Sequence, residues 1–388
     1  LKENRNHKRI IEILMKKIVI SAISLREGGG LSILNDCIKA VASYKRASKD
    51  PIEVTVLCHK KNLLVGDCSN IHIIEYPKST RSYFMRIYYE YIQFYFLSKR
   101  IKPDVWFSLH DMTPNVFAKK RFVYCHNPTP FYKTSWKMFR LSWKEYLFVK
   151  FYKYLYKIFI KKNSSVIVQQ HWIGSEMVKT FEISEDMIIV SRPIINLSNQ
   201  NIVLQKEKNE NGVTRFIYPS LPRTFKNFEV LFSAVGLLNS DYYGRFEVDL
   251  TLNGLENKYA KYLYSKFQDM PSINWLGYIN RDILLRSYVN YDSLVFCSKL
   301  ETFGLPIEEF KSTGKLIILP NLPYAHETLG SYRNALFFDP NSPCDLSQLM
   351  RSVIDGTSYG NLIAGELNYK KYKQVNGWVE LLNVMFEK

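Results

Sequence analysis

Short apolar runs alternate with longer stretches of helical periodicity along most of the chain. Residues 18–24 read as a buried strand, Arg26-Glu27-Gly28-Gly29-Gly30 follows, and 31–42 is amphipathic. Strand, glycine loop and helix in that order open a Rossmann-like unit. Residues 53–57 and 71–75 read as the next strands, 83–98 as a helix, and 105–109, 122–125 and 166–169 as further strands. The 83–98 helix is rich in aromatic residues and is expected to pack in the core.

The pattern breaks over 194–213, where Asn, Gln, Lys and Glu dominate, and this stretch reads as a linker. It then restarts, with strands at 215–218, 246–253, 273–276, 293–297 and 316–319 and a helix at 228–238. Strands alternating with helices predict parallel sheets. The expected division is an N-terminal domain over 15–193 and a C-terminal domain over 214–365, with a helix within 366–388 crossing back to the first. Ligands of such sheets sit beyond the carboxyl ends of the strands, so two such halves are expected to share one cleft.

A chain of 388 residues, 46% hydrophobic, has ample material for two cores. Its net charge of +17 implies an acidic partner: a phosphorylated substrate, an anionic membrane or nucleic acid. The six cysteines are scattered without a C-x-x-C pair, which suits reduced thiols in a cytosolic protein better than a disulfide framework or a zinc site. Met15 reads as the natural start, preceded by a polar, basic stretch. No apolar run approaches the roughly 20 residues of a spanning helix, and 18–23 is too short for a signal peptide.

The most informative segment is Glu301-Thr302-Phe303-Gly304-Leu305-Pro306-Ile307-Glu308-Glu309, directly after the apolar run 293–297. Gly304 permits close backbone approach, and Pro306 suits the first turn of a helix. The backbone N–H groups of Phe303, Gly304 and Leu305 then lie near a helix N-terminus, where anions are favoured. Glu301 stays in the loop and Glu309 enters the helix, so two carboxylates can address two ends of one ligand.

Glu301 and Glu309, with seven residues between them that include Phe-Gly-Leu-Pro, resemble the E-x7-E signature of retaining GT-B glycosyltransferases, most closely glycosyltransferase family 4. The resemblance is sharp over about 215–330 and at a few loops of the first half. It implies an α/β fold of GT-B architecture, with two Rossmann-like parallel-sheet domains facing a central cleft. It implies that Glu301 contacts donor-sugar hydroxyls and Glu309 holds the ribose hydroxyls, with Glu308 as the alternative register. The segment Arg223-Thr224-Phe225-Lys226-Asn227 resembles the one whose Arg and Lys clamp the donor diphosphate, although Pro219-Ser220 replaces the commoner glycine before it. Gly28, Gly29 and Gly30 resemble the loop that approaches the donor phosphates, and their order excludes a G-x-G-x-x-G dinucleotide site. His126 resembles the histidine beside the transferred sugar and is, with Glu301, the expected catalytic residue. His110 is a second candidate, and His171 a weaker one. Gly277 and Tyr278 resemble the turn before the donor-base pocket, where Tyr278 either stacks on the base or packs in the core.

The chain contains no Asp-x-Asp. No metal or other cofactor is expected, because the basic residues would neutralise the diphosphate. The implied reaction transfers a sugar from a UDP-, GDP- or dTDP-linked donor to an acceptor hydroxyl with retention. Residues 133–162 carry nine Lys or Arg, with Glu145 the sole acid, interleaved with Trp136, Trp143, Phe151 and Tyr154. Such a segment fits the surface of an anionic inner membrane on its cytoplasmic face, and therefore a polyprenyl-diphosphate-linked glycan acceptor of surface-polysaccharide assembly. The plainer alternative is an aromatic face packed on the core. A GT-B epimerase or sugar-nucleotide binder, and a basic nucleic-acid-binding protein, are the rival readings. The last leaves the Glu301–Glu309 motif unexplained, so no nucleic-acid partner is expected.

Overall fold

The computed structural model of the protein describes residues 15–48, 50–193, 212–357 and 370–387. Most of the expected linker, 194–213, lies outside them, as does part of 366–388. The described residues form two units: 15–131, 151–193 and 370–387 make the first, and 132–150 and 212–357 the second. The expected class holds, since each unit is a Rossmann-like α/β domain built on a wholly parallel sheet.

In the first unit the strands are β1 (Lys16–Ala22), β2 (Ile52–Cys58), β3 (His72–Glu75), β4 (Val105–Ser108), β5 (Lys120–Tyr124), β6 (Ser165–Val168) and β7 (Ile188–Ser191). The second unit contributes β8 (Thr214–Tyr218), β9 (Phe246–Leu250), β10 (Ile273–Trp275), β11 (Ser293–Val295), β12 (Leu316–Pro320) and β13 (Ala335–Phe338). A last strand, β14 (Lys373–Val375), returns to pair with β7, and the helix Gly377–Phe386 behind it places Leu381, Leu382 and Met385 in the first core. The strand orders are β14-β7-β6-β5-β4-β1-β2-β3 and β10-β9-β8-β11-β12-β13.

Both faces of a parallel sheet are covered by its crossovers, so its central strands must be apolar on both sides. β1 obeys this rule: Ile18, Ile20 and Ala22 enter one core, while Val19 enters the other with Phe94, Leu97 and Trp106. The helix Gly28–Ala47 meets the first core through Leu34, Cys37, Ile38 and Val41, the spacing of one helical face.

Residues 83–101 depart from expectation. They form the helix Tyr83–Tyr88, a π-helical turn Tyr89–Gln93 and the helix Phe94–Ile101. Phe94 and Leu97 are buried, but Tyr83, Phe84, Tyr88, Ile92 and Phe96 are exposed, so the element is not the core helix its composition suggests. The helix Trp143–Lys157 buries Val149, Tyr152 and Tyr156 and leaves Trp143, Leu147, Phe151, Tyr154 and Ile158 exposed beside and beyond it. It ends before Phe159, whose φ of 60° breaks the helix, so Lys161 and Lys162 lie in a separate 3-10 turn.

All six cysteines are free. Burial raises the thiol pKa of Cys37, Cys125 and Cys297 and lifts that of Cys58 to about 11, while Cys344 is exposed. Cys68 is half-buried, so titration of the native protein with a chromogenic disulfide should release one fast equivalent, from Cys344, then a slower one from Cys68, and Cys344→Ser should abolish the first. More than two reactive equivalents would contradict the burial of Cys37, Cys58, Cys125 and Cys297.

Candidate functional site

In the second sheet, strand order reverses between β8 and β11, and the loops leaving those neighbours form the crevice where ligands of open α/β sheets bind. The loop after β8 makes a tight 3-10 turn over Thr224–Lys226, and Asn227 then adopts a left-handed φ of 57° before the helix Phe228–Tyr242. Hydrogen bonds to its backbone carbonyls hold the turn: Tyr218 Oη donates to Lys226 O at 2.5 Å, and Lys299 N donates to Phe225 O at 2.7 Å. Asn227 Nδ2 donates to the carbonyl oxygens of Cys297 (3.3 Å) and Pro340 (2.8 Å), so its side chain ties three loops together.

This stitching presents Lys226, whose Nζ forms an ion pair with Glu301 Oε1 from the loop after β11. Both side chains are largely buried, and Nζ lies 5.6 Å from the centre of the Phe296 ring. A cation and an anion that each resemble donor-binding groups therefore neutralise one another here. Arg223, by contrast, is exposed, and its charge acts on the carboxyl of Glu145. Pulled up by burial and down by Arg223, that carboxyl stays above the ordinary glutamate range.

Gly304 caps the helix Leu305–Phe310 with φ 86°, and Pro306 stands in its first turn. Phe303 is buried and its carbonyl oxygen accepts from Thr328 Oγ1, while Leu305 is partly exposed. Glu309 is buried on the inner side of the helix, where its Oε1 accepts from Arg281 Nε (2.8 Å) and Nη2 (2.7 Å). Burial raises the Glu309 pKa, and the Arg281 guanidinium opposes the rise. Glu308 points elsewhere, to Lys311 Nζ at 2.5 Å. Nothing in the sequence around Arg281 announces this partnership. The turn after β10 places Gly277 at φ 74°, with its N–H on Leu252 O at 3.2 Å, and leaves Tyr278 77% exposed, so Tyr278 takes no part in the core.

In the first sheet the reversal lies between β1 and β4, and the remaining candidates gather on that edge. Gly28 opens the 28–47 helix with φ 64°; the space beside Gly28 and Gly29 is open, and a Cβ on Gly30 would lie 3.0 Å from Leu25 Cδ2. The first turn of this helix holds no acidic residue. His126 follows β5. Its backbone N donates to Asp111 Oδ1 at 2.6 Å, its ring stands 4.4 Å from that of Tyr124, and its Nε2 lies 2.7 Å from Leu109 O. A carbonyl only accepts, so Nε2 carries a proton. Burial lowers the His126 pKa, and Asp111 opposes the fall, leaving it below 6.5.

His110 is instead fully buried, with Nδ1 at 3.0 Å from Ser21 O and Nε2 paired with the buried Glu90. His171 Nδ1 accepts from Tyr372 N at 3.0 Å, which ties it to the returning C-terminal segment. Asp111, left-handed at φ 59°, also accepts from Asn127 N (3.1 Å) and Tyr152 Oη (3.1 Å). Its organising role is invisible in the sequence because its partners come from two other elements. Among the described residues, no group of three or more His, Cys, Asp or Glu could hold a metal ion.

The family described as "Glycosyl transferases group 1" matches residues 200–367. No curated protein matches the chain. Among solved structures, a glycosyltransferase from Rickettsia africae is similar with TM-score 0.59 and 18% identity, over 88% of this chain and 89% of that one. The lipopolysaccharide outer core galactosyltransferase WaaB has TM-score 0.57 and 13% identity, over 88% and 91%. Anabaena Alr3699/HepE, solved in complex with UDP and glucose, has TM-score 0.58 and 13% identity, over 88% and 90%.

Two outcomes follow from this geometry. Gly304→Ala forces a side chain into left-handed backbone with its Cβ 3.0 Å from Ile307 Cδ1, and should cost about 1–2 kcal/mol in denaturant unfolding. Full retention of stability would contradict the strained cap. His126 should titrate below 6.5 in NMR spectra of the ring nitrogens. Because its pKa is depressed by folding, its contribution to stability is lost as pH falls from the unfolded value through the folded one. A midpoint at or above 6.5 would contradict the burial argument. The chain thus has two parallel-sheet Rossmann-like domains in the manner of GT-B folds, and residues 200–367 of its second half match the glycosyl transferases group 1 family.

Proposed function

We propose that this protein is a retaining glycosyltransferase that moves a sugar from a nucleoside diphosphate donor to an acceptor hydroxyl. The observation that carries the reading is the meeting of Lys226 and Glu301 at the β8–β11 reversal, with Glu309 buried in the last turn of the helix that follows. Lys226 is assigned to the donor diphosphate, and Arg223 supports it from the exposed part of the loop. On binding, the phosphate replaces Glu301 as the partner of Lys226 and frees that carboxylate for the sugar hydroxyls. Glu309, oriented by Arg281, accepts from the ribose hydroxyls. Phe303, Gly304 and Leu305 offer backbone to the phosphates, and Gly277 and Tyr278 the base pocket. Gly28, Gly29 and Gly30 are assigned to the phosphates from the first unit, and His126, neutral at pH 7, to the transferred sugar.

Chemically, the acceptor oxygen attacks the anomeric carbon from the face the diphosphate leaves. The carbon–oxygen bond to phosphate breaks, and the departing phosphate oxygen takes the acceptor's proton. Lys226 stabilises the charge that develops on the leaving group, so the reaction is proposed to need no metal. The complex of Anabaena HepE with UDP-glucose supports a uridine diphosphate sugar as the first donor to test. The exposed basic and aromatic residues of 133–162 support work at the cytoplasmic face of an anionic membrane, on a polyprenyl-diphosphate-linked glycan of surface-polysaccharide assembly.

Calorimetric titration with UDP, GDP, dTDP and CMP, with EDTA present, tests the reading. One nucleoside diphosphate should bind, and Lys226→Ala should weaken it by about tenfold or more, the loss of one charge-assisted contact. Glu309→Ala should do the same. Since burial raises the Glu309 pKa, affinity should fall on acidification before an ordinary glutamate would protonate. No binding at millimolar nucleotide would overturn the assignment.

A further inference from the structure

Residues 78–102 contain six basic side chains, Lys78, Arg81, Arg86, Lys99, Arg100 and Lys102, and one acid, Glu90. Glu90 is withdrawn from the surface, in the π-helical turn and paired with His110. What remains outside is apolar in the middle and basic at both ends. Phe84 is 84% exposed, Ile92 50% and Phe96 66%, with Tyr88 between them, and these positions recur every four residues. The opposite face, Phe94 and Leu97, is committed to the core. A row of exposed aromatic and aliphatic side chains on a well-anchored helix marks an interaction surface, since a monomer in water gains nothing from it.

The charge pattern decides between occupants. A second copy of the chain meeting this face about a two-fold axis would set Arg81 against Lys99 and Arg100 with no exposed acid in the segment to pair them. An anionic bilayer meets both demands: headgroups take the flanking cations and the acyl boundary takes the apolar row. The neighbouring element has the same character. Phe159 lies 5.8 Å from Tyr91, Tyr152 bonds with Arg86, and Phe151, Lys153, Tyr154, Lys157 and Ile158 are exposed.

We infer that the 83–101 element is a second lipid-inserting helix, which places Phe84, Ile92 and Phe96 in the interfacial layer of an anionic membrane. The inference rests on the proposed membrane contact of 133–162 and extends it to an element whose composition alone suggests a core helix. It has a structural consequence for the first unit. Arg86 Nη2 donates to His110 O at 3.0 Å, and Glu90 pairs with the His110 ring, so the docked element directly braces the loop that carries Asp111. The His126 edge of the sheet is thereby tied to the bilayer.

The test uses the full chain with Phe96→Cys in a Cys68→Ser/Cys344→Ser background, labelled with an environment-sensitive NBD fluorophore. On equimolar phosphatidylcholine–phosphatidylglycerol vesicles the emission should shift to the blue and be quenched by nitroxide on the lipid acyl chains. Phe84→Ser/Ile92→Ser/Phe96→Ser should lower vesicle partitioning at least about tenfold, with unchanged circular dichroism because all three side chains are exposed. If the protein sediments with vesicles but the label is neither shifted nor quenched, this inference fails while the 133–162 contact stands. If the protein does not sediment with anionic vesicles at all, both fail. If the triple variant instead turns a dimer into a monomer without changing partitioning, the face belongs to a second copy and the inference is overturned.

Discussion

Every strand pairing among the described residues is parallel, and that constraint organises the rest of the molecule. A parallel strand cannot return through a tight turn, so each is followed by a crossover that lies on one face of the sheet. All loops that leave carboxyl ends then arrive along one edge. Where consecutive crossovers go to opposite faces, two such loops separate and leave a crevice. In the second unit this happens between β8 and β11, which is why Lys226 and Glu301, far apart in sequence, form an ion pair. The first unit repeats the device between β1 and β4, and the glycine loop and the Asp111–His126 cluster sit on that edge.

Charge is distributed by the same economy of burial. The inner carboxylates each have a donor: Glu90 has His110, Asp111 has two backbone N–H groups and a tyrosine, Asp249 has Arg215 and Tyr291, and Glu309 has Arg281. An isolated carboxylate would be too costly in such surroundings. The cationic excess is carried outside, much of it on 78–102 and 133–162, where exposed aromatic side chains accompany it. A surface that is both cationic and apolar suits a bilayer, because lipid offers opposite charge and an oily layer within a few ångströms. The exposed elements and the loops at the strand ends thus share supports: Arg86, Glu90 and Tyr152 reach from the former to His110 and Asp111.

Strands were the most legible elements because apolar runs bounded by turn residues leave little choice of conformation. Residues 18–24, 105–109 and 215–218 lie within a residue or two of β1, β4 and β8. β7, β13 and β14 escaped notice, since four apolar residues or fewer beside polar segments carry no period. The motif Glu301-Thr302-Phe303-Gly304-Leu305-Pro306 was equally legible, because a glycine with positive φ and a proline in the first turn are requirements of the local backbone. Arg281, Asp111 and Glu90 were not, because each acts on a residue from another element.

Sequence by itself determined the class of fold, the alternation of strands and helices, and the glycine and proline that shape the 301–306 loop, since all of these follow from local periodicity and backbone chemistry. Only the tertiary structure decided which side of a helix faces solvent. The aromatic 83–101 element reads as core by composition, yet one face alone contacts the sheet and the rest is exposed. It also decided that Glu309 rather than Glu308 is the buried carboxylate and that His110 is braced inside the domain. Burial and pairing depend on which elements meet in space, and no local pattern along the chain encodes that meeting.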